Sequence, residues 1–232
     1  MIKKAKDFIK ELNPIRFQKK SYSQCGEDLI IRVIFDNLGI NNPSYIDIGA
    51  HHPNYINNTA IFYNKGALGI NIEPDPFLFK RFQKYRKKDV NINAGVANEE
   101  GLLDFYIMSA PTLNTFSKTG VEDAGKEGYK ILEVKKIRVL QLKKIIAEYA
   151  NGKFPDFLSL DVEGLDMDIL QSIDYQNAPI VICVETISFS NSGNGIKDNT
   201  IANFLADKGY MVFADTYINT IFIKRDNWIN RK

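Results

Sequence analysis

The stretch YMVFADTYINTIFIK, residues 210–224, decides the fold. It holds two apolar runs, 210–214 and 218–224, and only Asp215, Thr216 and Tyr217 lie between them. A crossover to a parallel neighbour needs about a dozen residues or more, so these two strands must pair antiparallel as a hairpin. The hairpin predicts that the sheet closes with one antiparallel element at this end of the chain.

Upstream of the hairpin, short apolar runs alternate with segments of helical periodicity, which is typical of a parallel sheet covered by helices. Several runs are apolar without alternation, as in central strands buried on both faces. We therefore predict an α/β fold with a central, mostly parallel seven-stranded sheet and helices on both faces. The upstream strands are predicted at 44–48, 67–72, 90–94, 157–161 and 179–185, and the helices at 26–38, 58–64, 76–87, 140–150, 166–173 and 198–208. Two further β-prone stretches, 102–108 and 134–139, flank a charged, glycine-rich loop at 117–130.

Composition narrows the class of protein. The 232 residues are 44% hydrophobic and carry a net charge of +2, which suits a folded domain and gives no support for nucleic-acid binding. Residues 1–20 predict an amphipathic helical extension ahead of a domain at 21–232, with peripheral docking on a membrane or a partner protein as the alternative. No signal-peptide pattern and no apolar stretch long enough for a membrane span occurs. We expect a cytoplasmic protein, and a homodimer is an open alternative to a monomer.

The first predicted strand ends in Asp47-Ile48-Gly49-Ala50, and the second ends in Glu73-Pro74. Ligands of open α/β sheets bind beyond the carboxyl ends of the strands, where Gly49 would let the backbone come close to a ligand. Glu73 follows Gly49 by 24 residues, a spacing typical of the acid that binds a ribose diol. This pattern predicts a cofactor that contains adenosine. The alternative is that Gly49 only forms a tight turn and that Glu73 lies at the surface.

The residues after Gly49 distinguish between cofactors. A nicotinamide cofactor normally requires G-x-G-x-x-G, whose later glycines admit the pyrophosphate. Here Ala50, His51, His52 and Pro53 occupy that place. S-adenosylmethionine has no phosphate and needs no such glycines. The sequence therefore favours S-adenosylmethionine, and a nicotinamide-dependent oxidoreductase is the rival class of enzyme.

From about Ser21 to Lys224 the sequence resembles the FkbM family of S-adenosylmethionine-dependent methyltransferases. The resemblance implies the class I methyltransferase Rossmann-like fold and O-methylation of a hydroxyl on a sugar, a polysaccharide or a related natural product. In the usual family turn, Asn and Gly stand where this chain has His51, His52 and Pro53. The elements that carry the resemblance are SQCGEDLII (23–31), YIDIGAHHPNYINNT (45–59), GALGINIEPDP (66–76), NAGVANEEG (93–101), LNTFS (113–117), DFLSLDVEGLDMDIL (156–170), VICVE (181–185) and TYINTIFIK (216–224).

In a fold of this kind, several of these residues have an expected role in binding the cofactor. Asp47 and Gly49 face the methionine part of the cofactor, Glu73 faces the ribose, and Ala94 to Val96 border the adenine. Residues of SQCGED cover the cofactor, or else Ser21 and Gln24 form a capping box at a helix start. The predicted cofactor-binding set is Gln24, Gly26, Glu27, Asp47, Gly49, Ala50, His51, Asn58, Thr59, Glu73, Pro74, Gly95, Val96 and Asp161. Loops 53–58, 109–130 and 186–198 are expected to shape the pocket for the acceptor, a glycan or small molecule.

Three acids are expected at one rim of the sheet. Asp161 and Glu163 follow the fourth predicted strand and project to the same side, and Glu185 ends the neighbouring strand. Acids this close raise one another's pKa, so either a cation neutralises them or one of them is a base. A Mg²⁺ ion held by Asp161 and Glu185 is one reading, although Thr186 stands where a further acid often follows. Without an ion, Glu163 is the expected catalytic base, with Asp161 and His51 as alternatives. Asp161 and Glu163 could instead only cap the helix predicted at 166–173.

Two other features have simpler readings. Zinc usually requires three or four protein ligands, and this chain has only His51 and His52, so a zinc site at the pair is not favoured. One of them is expected either to contact cofactor or substrate or to make structural hydrogen bonds. The basic run KRFQKYRKK, residues 80–88, is expected to be the solvated face of a helix. A catalytically silent methyltransferase-like binding module is a second rival reading of the whole chain.

Overall fold

A computed structural model describes residues 18–162, 164–187 and 195–231. Most of the predicted N-terminal extension, Glu163 and most of the 187–195 loop lie outside these residues. The chain forms β1 Tyr45–Ile48, β2 Gly69–Ile72, β3 Val90–Ile92, β4 Gly95–Val96, β5 Gly101–Met108, β6 Ile131–Leu140, β7 Phe157–Leu160, β8 Val181–Glu185, β9 Tyr210–Asp215 and β10 Asn219–Lys224. The helices are α1 Glu27–Asn37, α2 Ala60–Tyr63, α3 Pro76–Tyr85, α4 Lys118–Lys126, α5 Leu142–Tyr149, α6 Asp166–Gln171, α7 Thr200–Asp207 and α8 Arg225–Ile229.

The central sheet has seven strands in the order β3-β2-β1-β7-β8-β10-β9. Five strands, β3, β2, β1, β7 and β8, pair in parallel, and β10 pairs antiparallel with both β8 and β9. The predicted sheet and its terminal hairpin are therefore confirmed. Strand order reverses between β1 and β7, so the carboxyl ends of these two strands border the crevice where ligands of such sheets bind.

Both faces of the central strands are buried, as their unbroken apolar runs predict. Every residue of β1 and β7 is buried. Alternate residues of these strands enter different cores: Ile46 and Leu158 pack with α5 and α6, whereas Tyr45 and Phe157 pack with α1 and α2. Burial on both faces fixes the strand ends that carry the site. Among the described residues, no helix is long and apolar enough to cross a bilayer.

An insertion between β3 and α5 forms a second, three-stranded sheet in the order β4-β6-β5. The two β-prone stretches of the sequence, 102–108 and 134–139, pair antiparallel in it as β5 and β6. The strand predicted at 90–94 ends earlier, at Ile92, and the residues of the next strand, Gly95 and Val96, pair with Val139 and Leu140 in the second sheet. The prediction of a loop throughout 117–130 is wrong: α4 lies there, and the Ser117 hydroxyl accepts a hydrogen bond from the Gly120 N–H at 3.1 Å as its N-cap.

The predicted capping box at Ser21 and Gln24 is also wrong. Helix α1 begins later, at Glu27, after Gly26 in the left-handed conformation with φ 92°. The Ser21 hydroxyl donates instead to the Asp28 carboxylate at 2.6 Å. A hydroxyl bound to a carboxylate makes a stronger bond than a hydroxyl bound to a backbone amide, so Asp28 organises this segment.

Candidate active site

A cavity of about 360 Å³ opens at the carboxyl ends of β1, β2, β7 and β8. This volume falls in the range of roughly 300–1,000 Å³ that is usual for small-molecule sites. Strand ends form its floor, the insertion forms one wall, and the hairpin and the segment before α1 form the other. The sequence-predicted residues that line it are Gln24, Asp47, Gly49, Ala50, His51, Asn58, Glu73, Pro74, Gly95, Val96, Asp161 and Glu185.

Three members of the predicted cofactor-binding set, Gly26, Glu27 and Thr59, do not line this cavity. Glu27 is buried beside it, where its carboxylate accepts from the Thr216 hydroxyl at 2.8 Å and from the Asn219 amide at 3.1 Å. Burial works to raise the pKa of Glu27, but these bonds and the Cys25 N–H outweigh it and hold that pKa below its usual range. Glu27 therefore fixes the hairpin end of the wall.

Gly49 joins β1 to the floor of the cavity. Its φ is +75°, and a Cβ placed there would lie 1.8 Å from the carbonyl oxygen of Asp161. No side chain fits at this distance, so glycine is required where the end of β1 passes the end of β7. The close approach that the sequence predicted at Gly49 is therefore made, within this chain, to its own backbone at Asp161.

Asp47 is buried at the end of β1 and is held by two side chains of the following segment. Its Oδ2 accepts from the Thr59 hydroxyl at 2.8 Å and from the Asn57 amide at 3.0 Å. Burial raises the pKa of Asp47, while these bonds, together with Arg86 and Ser159, oppose the rise. Thr59 thus holds an acid that lines the cavity, although Thr59 does not reach the cavity itself.

Glu73 is buried at the end of β2, which contradicts the alternative of a surface acid before Pro74. Its two carboxylate oxygens accept backbone N–H groups, Oε2 from His51 and Oε1 from Asp75, each at 2.7 Å. Burial raises its pKa to about 8 in spite of these bonds. Glu73 therefore fixes the backbone of the His51 turn and presents a carboxyl group to the cavity at the same time.

The two histidines diverge. His51 lines the cavity with φ 54°, and burial, followed by the neighbouring His52, lowers its pKa. The His52 ring lies outside, with Nε2 at 3.0 Å from the Arg81 guanidinium and Nδ1 accepting from the Asn54 N–H at 3.2 Å. Adjacent residues of a turn point apart, so the pair cannot ligate one ion. Of the two, only His51 can contact a ligand in this cavity.

Asp161 lies at the end of β7 with its side chain open to the cavity. The surrounding protein desolvates the carboxyl group and, with the nearby carboxyl groups of Asp166 and Asp47, raises its pKa to about 7. Asp166 itself accepts from the N–H groups of Val162 and Gly164, both at 3.3 Å. The N-cap of α6 is Leu165, so Asp161 does not form the helix cap that was its alternative role, and its side chain faces the cavity.

The residues of the site do not support the Mg²⁺ expected at Asp161 and Glu185. Within the described part of the chain, no group of three or more His, Cys, Asp or Glu side chains is arranged to hold a metal ion. No chemical step is therefore derived through a metal.

Residues 111–116 of the inserted wall lie within loop 109–130, which the sequence predicted to shape the pocket, whereas Phe105 was not predicted to reach it. Residues 111–116 and Phe105 line the cavity, and Phe116 packs against Gly95, where a Cβ would lie 2.5 Å from the ring. Asn114 ties this wall to the main sheet, donating to the Asp75 carboxylate at 3.0 Å and accepting from the Met108 N–H at 2.8 Å. The LNTFS element at 113–117 contributes to the family resemblance, but the sequence assigns no role to its individual residues.

The cavity is acidic. Asp47, Glu73, Asp161 and Glu185 line it, and none of the described residues that line it is Lys or Arg. Burial raises the pKa of three of these acids, which shows that the protein by itself does not neutralise them well. The arrangement is suited to a ligand that carries positive charge and is poorly suited to a phosphate or pyrophosphate.

Comparison with known proteins is consistent with this site. Residues 47–212 match the sequence profile described as the methyltransferase FkbM domain. Similar solved structures include a protein proposed to be a caffeoyl-CoA O-methyltransferase from Staphylococcus aureus, with 10% identity and a TM-score of 0.44 over 94% of this chain and 91% of that chain. Another is precorrin-6y C5,15-methyltransferase from Geobacter metallireducens GS-15, with 12% identity and a TM-score of 0.41 over 91% and 95%. No curated protein matches the sequence.

Proposed function

The chain belongs to the FkbM methyltransferase family, and from this premise we propose that it transfers a methyl group from S-adenosylmethionine to a hydroxyl group. The proposed acceptor is a sugar, a polysaccharide or a related natural product. The observation that carries the proposal is the acidic cavity at the carboxyl ends of β1, β2 and β7, whose described lining residues include no Lys or Arg.

The charge of the cavity supports S-adenosylmethionine over a nicotinamide cofactor. S-adenosylmethionine carries a sulfonium and an α-ammonium group, and both favour the ionised form of a nearby carboxyl group. A nicotinamide dinucleotide would bring a pyrophosphate beside Asp47 and Glu73, where the turn lacks the later glycines that admit it. Both the acidic side chains of the cavity and the turn after Gly49 therefore fit S-adenosylmethionine.

We assign each part of the cofactor, and the acceptor, to residues at the end of a different strand. Asp47 and the Ala50 turn bind the methionine part, and Glu73 binds the ribose hydroxyls. Gly95 and Val96 border the adenine, with Phe116 behind them. Glu185, Ile187 and Asn219 line the cavity beyond Asp161, where the acceptor enters.

Asp161 is the proposed proton acceptor. When bound, S-adenosylmethionine supplies an electrophilic methyl group and leaves as neutral S-adenosylhomocysteine. Asp161 takes the hydroxyl proton as the acceptor oxygen forms its bond to the methyl carbon, and the electron pair of the broken C–S bond remains on sulfur. A pKa of about 7 suits a base that works near neutral pH. The sequence predicts Glu163 as the base, with Asp161 and His51 as alternatives, and Glu163 lies outside the described residues.

Calorimetric titration with S-adenosylhomocysteine tests the cofactor, and NADH is the comparison ligand. We expect S-adenosylhomocysteine to bind with micromolar affinity and NADH not to bind. Binding of NADH alone would replace the proposal with an oxidoreductase. If neither S-adenosylhomocysteine nor NADH binds, the result would favour a catalytically silent methyltransferase-like module. A methyl-transfer assay against sugar and polysaccharide acceptors, with and without EDTA, then tests turnover and its independence from divalent metal.

A further inference from the structure

The side chain of Arg86 is fully buried but does not line the cavity. Arg86 has no exposed surface, although it lies in the basic run 80–88 that the sequence predicted to be solvated. A buried guanidinium is costly unless its donors are satisfied. Its partners therefore indicate what it is for.

The guanidinium binds the segment that follows β1 at three points. Its Nε donates to the Pro53 carbonyl at 3.0 Å, and its Nη2 donates to Asn57 Oδ1 at 2.8 Å and to Thr59 Oγ1 at 3.2 Å. The remaining donor, Nη1, lies 3.0 Å from the Tyr45 hydroxyl and 3.4 Å from the Asp89 carboxylate. One side chain thus ties residues 53–59 to the start of β1 and to the residue before β3.

These contacts determine which way the Asn57 amide faces. Asn57 Oδ1 accepts from Arg86 and from the Thr59 N–H at 3.1 Å, and neither of these groups can act as an acceptor. The amide nitrogen must therefore face the other way, where it donates to Asp47 Oδ2 at 3.0 Å and to the Ala50 carbonyl at 3.1 Å. Both of these acceptors belong to residues that line the cavity.

We propose that Arg86 is a positioning residue for the methionine end of the cofactor site, acting through Asn57 on Asp47 and on the Ala50 turn. Arg86 does not line the cavity, so it acts on the cofactor only through these residues. The inference rests on the proposed function, because it assumes that the cavity binds S-adenosylmethionine. It adds a residue that neither the turn motif nor the lining of the cavity identifies.

Two ligands that differ only in the amino-acid part test the proposal. S-adenosylhomocysteine contains that part, and 5′-methylthioadenosine lacks it. In Arg86→Met we expect the affinity for S-adenosylhomocysteine to fall at least tenfold, while the affinity for methylthioadenosine changes less than threefold. The matched control is Lys87→Met, which removes the exposed charge of the next residue and should leave both affinities unchanged.

Circular dichroism and a melting curve establish that each variant is folded at the temperature of titration. If Arg86→Met does not fold, Asn57→Asp takes its place, because it keeps an acceptor for Arg86 but loses the amide donors to Asp47 and Ala50. The same selective loss in Asn57→Asp supports the proposal. An equal loss for both ligands, or no loss for either, overturns it in whichever variant is used. Absence of S-adenosylhomocysteine binding in the unaltered protein would instead overturn the proposed function.

Discussion

At Asp161, burial and neighbouring charge act in the same direction. Both disfavour the carboxylate, so its pKa lies near 7 and it can exchange a proton at neutral pH. Replacement by Asn keeps the size of the side chain and removes the base. We expect Asp161→Asn to lower the turnover number by about 10²–10⁴-fold, the usual share of general base catalysis, while S-adenosylhomocysteine still binds within about threefold.

The matched control is Asp168→Asn, an exposed acid in the first turn of α6. A base must be deprotonated, so kcat/KM of the unaltered enzyme should rise with pH through about 7, and the variant should lose this rise. Retention of more than a tenth of the turnover in Asp161→Asn would assign the base to Glu163 or His51 instead.

Glu73 has two tasks that a glutamine cannot perform together. Its oxygens accept the N–H groups of His51 and Asp75, and the amide nitrogen of Gln would leave one of these donors without an acceptor. Leaving a buried donor unpaired costs about 1–3 kcal/mol. That cost lowers the stability of the free protein. Glu73→Gln should also weaken S-adenosylhomocysteine and methylthioadenosine alike, by about 10- to 150-fold, because both ligands contain the ribose and lose a hydrogen bond to a charged group. A loss confined to S-adenosylhomocysteine in the same titrations would contradict the ribose role.

The sequence identified the acids that line the cavity, but it did not identify the residue that holds one of them in place. Asp47, Glu73 and Asp161 each end a strand, and the end of a strand can be read from an apolar run. Arg86 could not be identified in this way, because a basic run looks the same whether one of its members is buried or none is. Its burial depends on Tyr45, Asn57 and Thr59, which only the fold brings to it.

At the scale of elements, β1 and β7 meet at Gly49. In Gly49→Ala the new methyl carbon would meet the Asp161 carbonyl at 1.8 Å, so the two strand ends must separate. The left-handed backbone alone costs a non-glycine residue about 1–2 kcal/mol, and the clash adds to this. We expect Gly49→Ala to lower the melting temperature by more than about 5 °C and to abolish cofactor binding.

Gly101→Ala is the control, since Gly101 lies in β5 with no atom within 4 Å of a new Cβ and without a positive φ. It should change the melting temperature by less than about 2 °C. An unchanged melting temperature in Gly49→Ala would show that the β1–β7 contact is looser than the structure indicates.

The insertion shows where element prediction fails. β propensity identified its two long strands, β5 and β6, because that signal is local. Helix α4 was missed because Gly120 and Gly125 lower its intrinsic helix propensity, while the Ser117 cap and tertiary contacts compensate. Loop 109–130 was predicted to shape the pocket, but its lining residues 111–116 could not be identified, because their position over the cavity depends on the Asn114 contact with Asp75, which is distant in sequence.

For the molecule as a whole, the buried Glu73 and the cavity-facing Asp161 make stability depend on pH in an unusual direction. The pKa of Glu73 is raised to about 8 and that of Asp161 to about 7, whereas unfolded carboxyl groups titrate near ~4. Between these limits the folded protein binds more protons than the unfolded chain. The free energy of unfolding of the cofactor-free protein should therefore fall as pH rises from about 6.5 to 8 and level off above that, whereas below about 6.5 the lowered pKa of His51 acts in the opposite direction.

Melting curves across this range measure the effect. S-adenosylmethionine should raise the melting temperature more at pH 8 than at pH 6, because its positive groups favour the carboxylates that the higher pH creates. Glu73→Gln should show a shallower decline than the unaltered protein, since it removes one of the titrating groups. A melting temperature that rises with pH between about 6 and 8 in the cofactor-free protein would contradict the assignment of these acids as poorly neutralised.

The contact between Gly49 and Asp161 also bears on redesign of the enzyme. The Gly49 turn and the main chain of Asp161 meet backbone to backbone, so a substitution that moves either main chain moves the other as well. The wall at 111–116 is attached through side chains instead, chiefly at Asn114. A library intended to change the acceptor should therefore diversify that wall and leave the floor untouched, because there selectivity can vary while the reacting groups keep their alignment.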